Sequence, residues 1–403
     1  MSSDGTGTAG AAETSAPAAP TGYRDLFRTK EFTPFFLAAT AQGVARTAGG
    51  LALGTLVYRA THSPLLSAVS MFGASLAQVL GATLLLSAAD RLPPQAALTA
   101  VSLCSAAATA VTAVPSLPVG GVLAVLLAQG LVASVAGGVR WGLLNEILTK
   151  DGYLLGRSLL NMTSGVTQVT GYATGGALLA LLPPRTILLL AAALYATASA
   201  TLFLGLRTRP PRAAGRPSPR TTWRTNAALW SSAPRRRLYL ALWIPNGLVV
   251  GCESLYVSYA PRSAGALFAC AALGMLAGDI LVARVLTPAA RRRAGIPLLL
   301  LLATPYTLFA LHPPLVPAAL LAALASVGFG ASLVQQERLL ALTPAPLTGH
   351  ALGLHSSGML TMQGVSAVLA GTLAQLTSPT WAMAGLAAGS AGVTVWLARG
   401  LRG

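Results

Sequence analysis

Residues 185–206 read RTILLLAAALYATASATLFLGL, and residues 207–237 follow as RTRPPRAAGRPSPRTTWRTNAALWSSAPRRR. The first stretch is apolar apart from Arg185 and has the roughly 20 residues that a helix needs to cross a bilayer. The second stretch contains nine Arg and no Asp or Glu. An apolar span that ends in a basic loop predicts a membrane protein with this loop on the cytoplasmic side.

The composition of the 403-residue chain excludes the main soluble classes. Charged residues make up 9% of the chain, against about 25% in a soluble globular protein. Hydrophobic residues make up 54% and the mean hydropathy is +0.66. The net charge of +17 would suit a nucleic-acid-binding protein, but so few charges cannot cover the surface of a soluble domain. The three cysteines (Cys104, Cys252 and Cys270) lie in apolar runs without metal-ligand spacing. We therefore interpret the chain as an all-α polytopic membrane protein without a cofactor or metal.

Apolar stretches of spanning length recur through the chain. Residues 1–22 are rich in Ser, Thr, Ala, Gly and Pro and predict a disordered tail. The basic loop at 207–237 predicts a cytoplasmic linker between an N-terminal six-helix bundle at 23–206 and a C-terminal six-helix bundle at 238–403. The twelve predicted spans are 32–58, 64–89, 95–113, 118–144, 160–182, 185–206, 238–260, 264–286, 296–311, 313–334, 350–376 and 378–398.

The basic residues follow this alternating pattern. With the N-terminus placed inside, all but four of the 27 Lys and Arg residues fall on or near the inner face. The exceptions are Arg59, Arg185 and Arg262 in outer connections and Arg46 within the first span. This bias predicts that both termini are cytoplasmic. The excess of Arg over Lys, with much Ala and Gly, favours a bacterial protein of the inner membrane.

The two halves are weakly similar to each other. An offset of 193 residues aligns Gly81 with Gly274 and Gly171 with Gly364. Both halves begin inside and hold six spans, so the repeat is parallel. Parallel halves related by an axis along the membrane normal are a known transporter plan.

Short motifs at the inner face carry a resemblance to a known family. Asp90 and Arg91 stand between the second and third spans, at the D-R positions of the family motif G-x-x-x-D-R-x-G-R-R. Residues 171–176 read GYATGG, which matches the antiporter motif G-P-x-x-G-G except for Tyr172 in place of Pro. With twelve spans and parallel halves, the chain resembles the major facilitator superfamily over residues 23–400.

The resemblance implies two pseudo-symmetric bundles that rock around a midplane cavity lined by spans 1, 4, 7 and 10. In span 4, Gln129 and Gly130 match the end of R-x-x-Q-G, while Leu126 stands where the family has an Arg implicated in proton coupling. Gly171, Gly175 and Gly176 of the antiporter-like stretch would form helix seams. We predict a monomeric secondary transporter that exports small amphipathic drugs or secondary metabolites in exchange for protons.

Two alternatives remain open. One is the same fold importing a small nutrient, and the other is a non-transporting polytopic membrane protein that acts as a lipid-handling or signalling scaffold. The sequence contains no G-x-x-x-x-G-K-[ST], H-E-x-x-H or G-x-S-x-G motif, so we predict that the protein is not an enzyme. Its partners would be the bilayer, a small solute and protons, with no nucleic acid.

Polar residues inside the predicted spans are the candidate site. A charge near the bilayer centre costs about 3 kcal/mol on insertion scales. Arg46 lies in span 1 with Gln42 one turn before it, and Glu253 lies in span 7 with Asn246 two turns before it. We expect Glu253 to be a protonatable site or a counter-ion for a cationic substrate, with Arg46 setting its pKa or binding an anionic group. The structural alternative is a permanent salt bridge between Arg46 and Glu253.

Polar stripes on spans 5 and 11 add three further candidates for binding of substrate or protons. Gln168 lies in a stripe with four-residue spacing on span 5. His355 and Gln363 lie on span 11. Such stripes line cavities in some proteins and hold helices together in others.

Charges at the inner ends of the spans predict a second set, the inner-gate charges. Arg91 and Glu146 in the first half are matched by Arg284 and Glu337 in the second, and Asp90 precedes Arg91. Ion pairs between Arg91 and Glu146, and between Arg284 and Glu337, would hold the inner mouth closed and break when it opens. The alternative is that each charge reaches the membrane interface independently.

Overall fold

The computed structural model describes residues 22–84, 92–148, 150–210, 219–344 and 347–401. Within these ranges the regular structure is helical, with no strand. Helices satisfy every backbone N–H and C=O inside their own segment, which is what a hydrocarbon environment requires. The predicted tail at 1–22 lies outside the described residues except for Gly22, so its disorder stays a prediction.

The described residues of the first half form seven helices, of which the first is a single turn at Tyr23–Leu26. Their bounds are α1 Tyr23–Leu26, α2 Phe32–Thr61, α3 Pro64–Leu84, α4 Pro94–Thr112, α5 Val119–Ile147, α6 Lys150–Leu181 and α7 Pro184–Gly205.

The linker contributes one helix and the second half contributes the others. Their bounds are α8 Pro219–Ser231, α9 Ala233–Ser254, α10 Tyr256–Tyr259, α11 Ala264–Ile280, α12 Pro288–Thr307, α13 Leu315–Val327, α14 Ala331–Ala341, α15 Thr348–Leu376 and α16 Pro379–Leu401.

Ten segments in the described part of the chain are long and apolar enough to cross a membrane. They correspond to ten of the twelve predicted spans. The other two are α2 and α6, which have 30 and 32 residues. At 1.5 Å per residue each is about 45 Å long, and each packs along helices of spanning length, but their polar residues lower the hydropathy. The all-helical polytopic fold is thus confirmed, while the count of twelve crossings stays a prediction.

Several boundaries differ from the sequence prediction, and three of them bear on the site and the linker. Helix α5 continues to Ile147, so Arg140, which we counted among the charges on or near the inner face, lies seven residues before the end of the helix. Helix α6 begins at Lys150, ten residues before the predicted start of the fifth span. The predicted linker contains α8. In each case the polar segment is helical because a helix pairs the backbone N–H and C=O groups with each other. Its polar side chains can then face water without interrupting the helix.

The second half contains several interruptions. Leu255 separates α9 from α10, and the π-helical turn Leu281–Val285 continues α11. The 3₁₀ turns Leu308–Leu311 and Gly328–Gly330 follow α12 and join α13 to α14. Gly328 lies directly against the backbone of α12, where a Cβ would have no room. Close helix packing explains this interruption.

The two halves meet mainly through two helix pairs, α3 with α15 and α6 with α11. The 193-residue offset exchanges these two pairs, so the contacts obey the predicted pseudo-symmetry. Gly176 on α6 touches Gly265 on α11, backbone to backbone, and neither position has room for a Cβ. Gly371 on α15 lies equally close to the Cα of Leu65 on α3. Small residues allow this approach.

These contacts lie at the end of the molecule opposite to the linker, which we call the far end. There the hydroxyl of Tyr58 donates to the carbonyl oxygen of Ser258 at 3.4 Å. The hydroxyl of Ser63 donates to Oε1 of Gln375 at 3.2 Å. Both bonds join the first half to the second, so the structure is closed at the far end.

We predict that Gly176→Ala destabilises the protein by about 1–3 kcal/mol, because the new methyl group overlaps the backbone of Gly265. Thermal unfolding in detergent or nanodiscs measures the change. Gly385→Ala is the matched control, since no heavy atom lies within 4 Å of a Cβ at that helical position. The control should be neutral or slightly stabilising, because Ala favours helices over Gly. Equal effects of the two substitutions would show that Gly176 is not a close contact.

Candidate functional site

A cavity of about 330 Å³ lies inside the first half. Helices α2 to α7 all contribute to its wall, and it separates α5 from α2 and α6. Its volume falls at the lower end of the range for small-molecule sites. The charged and amide side chains in the wall are Gln42, Arg46, Gln78, Gln129 and Arg140, and Ser102 also lines it.

A chain of hydrogen bonds crosses the wall of this cavity. Nη2 of Arg140 donates to Oε1 of Gln42 at 2.5 Å. Nε2 of Gln42 donates to Oγ of Ser102 at 2.6 Å, and that hydroxyl donates to the carbonyl oxygen of Leu98 at 2.9 Å. The chain fixes the orientation of the Gln42 amide. It uses one of the five N–H donors of the guanidinium group.

Arg46 is the second cation of the cavity. It lies one turn after Gln42 on α2, and its side chain is exposed to the cavity. The ring of Tyr195 lies within electrostatic range of both guanidinium groups. The described wall contains no Asp or Glu. Two like charges repel each other strongly away from bulk water, so this wall favours a ligand that brings negative charge.

The predicted partner of Arg46 lies elsewhere. Glu253, near the end of α9, is 7% exposed, and its Oε1 has no hydrogen-bond partner among the described residues. Arg46 and Glu253 form no ion pair within 4.0 Å, although both are described, so the structure lacks the salt bridge that was the structural alternative. Tyr172 lies within electrostatic range of both groups, and it stacks on Phe268 with ring centroids 4.5 Å apart.

Two other candidates are also buried in the second half. Asn246 is 6% exposed and His355 is 8% exposed. Oδ1 of Asn246 and Nδ1 of His355 have no hydrogen-bond partner among the described residues. With Glu253 they form a set of buried polar groups whose hydrogen bonding is incomplete, which makes them candidates for functional positions.

The remaining predicted residues fall outside the cavity wall. Gln168 and Gln363 are partly buried but do not line the cavity. Gly171 lies against the side chain of Thr47, and a Cβ on Gly175 would be 3.0 Å from the Cα of Ala48. These two glycines therefore bring α6 onto α2 within the first half, whereas Gly176 faces the second half.

Of the two predicted inner-gate pairs, the one between Arg284 and Glu337 is absent, and the one between Arg91 and Glu146 stays a prediction. Glu337 lies 3.9 Å from Arg291 and forms no ion pair with Arg284, which is exposed on the π-helical turn. Asp90 and Arg91 lie outside the described residues. In the described ion pairs, Oε2 of Glu146 lies 3.7 Å from Nε of Arg209 in the linker. The predicted mirror pairing fails in the second half because Arg291 at the start of α12 reaches Glu337 instead.

Arg209 also binds Glu31 at the start of α2. Its Nη1 and Nη2 donate to the two carboxylate oxygens at 2.9 and 2.5 Å, and the backbone N–H of Arg207 donates to Oε1 at 2.7 Å. Burial alone would raise the pKa of Glu31, but these hydrogen bonds and charges outweigh it and lower the pKa below its ordinary value. The pair fastens the beginning of the linker to the first half.

The main residue that sequence reasoning missed is Arg140. A signal was present, since Gln129, Ala133, Ala136 and Arg140 recur at helical spacing and share one face of α5. All four line the cavity. Ending the fourth span at residue 144 placed Arg140 within a turn of the predicted interface, where a basic residue needs no special explanation.

We predict that Arg209→Gln lowers the stability of the protein by about 1 kcal/mol at neutral pH, a small value because both side chains are partly exposed. A lowered native pKa contributes stability that is complete above the unfolded pKa of about 4.3 and is lost as the pH falls through the native pKa. The difference between wild type and variant should therefore shrink below about pH 4. Thermal unfolding at several pH values measures it.

Arg28→Gln is the control for this experiment. Arg28 pairs with Asp25 at 3.2 Å, but its side chain is 85% exposed. We expect no measurable change in stability. A deficit of Arg209→Gln that is as large well below pH 4 as at pH 7 would contradict the role of the Glu31 carboxylate.

Comparison with solved structures identifies proteins that have the same fold. No family model matches the sequence, and no curated protein matches it. Among solved structures, a POT family transporter in complex with a thioalcohol-conjugated peptide matches with a TM-score of 0.72 and 11% identity, over 90% of this chain and 94% of that chain.

Two further matches extend the comparison. The nucleoside transporter NupG has a TM-score of 0.70 and 12% identity, over 92% of this chain and 98% of that chain. A bacterial homologue of the human lysosomal transporter Spinster, inward-facing and unoccupied, has a TM-score of 0.64 and 13% identity, over 94% and 95%. At these identities the likeness concerns the fold alone. The chain has the polytopic fold of the major facilitator type that these transporters have.

Proposed function

We propose that the protein is a secondary transporter for small molecules that carry a carboxylate or phosphate group. The observation that carries the proposal is the cavity in which Arg46 and Arg140 face one space with no acidic residue in its described wall. A guanidinium group binds carboxylate and phosphate oxygens through charge-assisted hydrogen bonds. The fold of the matched transporters supports movement by alternating access.

The cavity favours our prediction that Arg46 binds an anionic group over our prediction of a cationic substrate. An anionic group bound to Arg46 fits a wall that is cationic, whereas a cationic drug would meet two like charges. The polar residues around the guanidinium groups, such as Gln78 and Gln129, can hydrogen-bond the rest of the ligand. The substrate class that we propose is therefore an amphipathic or polar anion.

Glu253 is the proposed site of proton coupling. It is the buried carboxyl group of α9, it lies in the half opposite to the cavity, and its Oε1 has no described partner. Intramembrane carboxyl groups of this kind mark proton relays in transporters. Tyr172, at the contact between the halves, is within electrostatic range of Glu253 and Arg46. It supplies a route by which the charge state of one half influences the other.

The closure of the far end supports one conformational state of the transport cycle. With the linker on the cytoplasmic side, as the distribution of basic residues predicts, the far end is extracellular, and its closure supports an inward-facing state. The direction of net transport follows from the gradients rather than from this state, and export stays our proposal from the GYATGG stretch at 171–176. Flux in right-side-out and inverted vesicles distinguishes export from import.

We predict that Arg46→Gln and Arg140→Gln each weaken binding of an anionic substrate by about 10- to 100-fold, the value of one hydrogen bond to a charged group. A thermal-shift screen of aromatic carboxylates, phosphate monoesters and quaternary ammonium ions identifies ligands of the wild type, and flux in proteoliposomes follows. The exposed Arg28→Gln at the chain start is the control and should leave binding unchanged. Stabilisation by quaternary ammonium ions alone would contradict the anionic class.

We predict that Glu253→Gln abolishes the dependence of flux on a pH gradient while leaving exchange of substrate across the membrane active. Glutamine keeps the shape of the side chain but cannot exchange a proton. Counterflow and gradient-driven flux, measured on the same proteoliposomes, separate the two activities. If gradient-driven flux of Glu253→Gln equals that of the wild type, Glu253 does not couple protons.

A further inference from the structure

The linker helix α8 carries an aromatic stripe. Trp223, Ala227 and Trp230 are spaced by four and three residues, so they lie along one face of the helix. Seven residues at 1.5 Å per residue separate the two tryptophans by about 10 Å. The two ends of this stripe have different surroundings.

The C-terminal end of the stripe is covered by the second half. Trp230 stacks on Trp243 with ring centroids 5.5 Å apart and an interplanar angle of 13°, and Leu229 is fully buried. Nε1 of Trp243 in turn donates to the carbonyl oxygen of His355 at 3.1 Å. Nη2 of Arg235 donates to the carbonyl oxygen of Ala228 at 3.0 Å near the end of α8. These contacts fix α8 on α9, so its stripe faces the membrane-spanning helices.

The N-terminal end of the stripe is left uncovered by the described helices. Trp223 is 72% exposed, and Ala227 is exposed as well. The stripe runs along one face of α8, and its C-terminal end packs on α9. Trp223 at its other end therefore lies on the side of α8 that faces the membrane-spanning helices. The space on that side, next to a helix that enters the membrane, is the boundary between headgroups and acyl chains. Tryptophan prefers this boundary because its ring is amphipathic.

The charges around the stripe have a single sign. Residues 207–237 contain nine Arg and no acid. Arg224, next to Trp223, is exposed, and so is Arg236 near the start of α9. A helix with an apolar face and basic flanks binds at the surface of a membrane that contains anionic lipid. The charge is complementary to phosphate headgroups.

We infer that α8 is an interfacial helix that binds anionic phospholipids, with Trp223 inserted at the level of the headgroups and Arg224 and Arg236 holding their phosphates. The Trp230 stack transmits this attachment to α9 and α15, so the lipid contact anchors the second half. The inference is independent of the substrate and of proton coupling.

Fluorescence quenching tests the insertion of Trp223. The full chain is reconstituted in nanodiscs of ordinary phospholipid or of phospholipid brominated near the headgroup, each with phosphatidylglycerol. The emission that Trp223 contributes is the difference between wild type and Trp223→Phe. We expect bromination to remove more than half of this difference. Trp396, which is 67% exposed on α16, supplies the matched control through Trp396→Phe. A Trp223 contribution that bromination leaves intact, and that aqueous iodide quenches, would overturn the insertion.

Lipid retention tests the role of the arginines. Protein purified from bilayers of phosphatidylcholine with a minority of phosphatidylglycerol is analysed for bound lipid by native mass spectrometry. We expect enrichment of phosphatidylglycerol in the wild type and a loss of about fivefold for each of Arg224→Gln and Arg236→Gln. Arg28→Gln, exposed but paired with Asp25, should retain the enrichment. Unchanged enrichment in the two variants would overturn the inference. Displacement of phosphatidylglycerol by millimolar inorganic phosphate would also overturn the inference, because it would indicate a site for free anions. Binding of a soluble protein to α8 with no bound lipid would overturn it as well.

Discussion

The structure depends on one constraint, which is that polar groups removed from water must find partners within the chain. The helices satisfy the backbone, and hydroxyl groups follow the same rule locally: Thr55 donates to the carbonyl oxygen of Leu51 at 2.8 Å, one turn back on α2. Larger side chains need partners from other helices, as Arg140 finds in Gln42. Groups for which the described chain provides incomplete pairing, such as Glu253 and His355, are therefore few and informative. Glu253 and His355 lie within membrane-spanning helices, where a proton or a bound solute would supply the missing interaction.

The sequence predicts the fold well because the fold is set by hydrophobicity summed over long windows. Spans of 20 residues, the basic loop and the 193-residue repeat are properties of many residues at once, and the helix pairs of the structure obey that repeat. The site is predicted less well because it depends on single side chains at helix ends. Arg140 was taken for an inner-face charge because it lies within a turn of the predicted end of span 4. The sequence also could not separate Arg291 from Arg284 as the partner of Glu337, because that choice depends on how the helix ends pack. Gln42 and Arg46 were found because a charge within a span has few structural explanations.

The two ends of the molecule are held by different forces. At the far end, glycine backbones touch, and the contact gains dispersion energy without fixing any long side chain. At the linker end, the described contacts include charged groups, with Arg209 bound to Glu31 and close to Glu146. A contact between glycines separates with little loss of side-chain interactions, whereas a bidentate ion pair holds its geometry. The far end is thus suited to opening and closing, and the start of the linker is suited to remaining attached to the first half.

The position of the cavity has a consequence for how such a protein diversifies. Every described residue of the cavity wall comes from one continuous part of the chain, residues 39–195, while the buried carboxyl group of Glu253 belongs to the other half. On the proposed function, ligand choice and energy source are encoded in separate segments of the gene. A recombination event within the linker would exchange one without altering the other. Chimeras joined there would inherit the substrate of their first parent and the driving ion of their second.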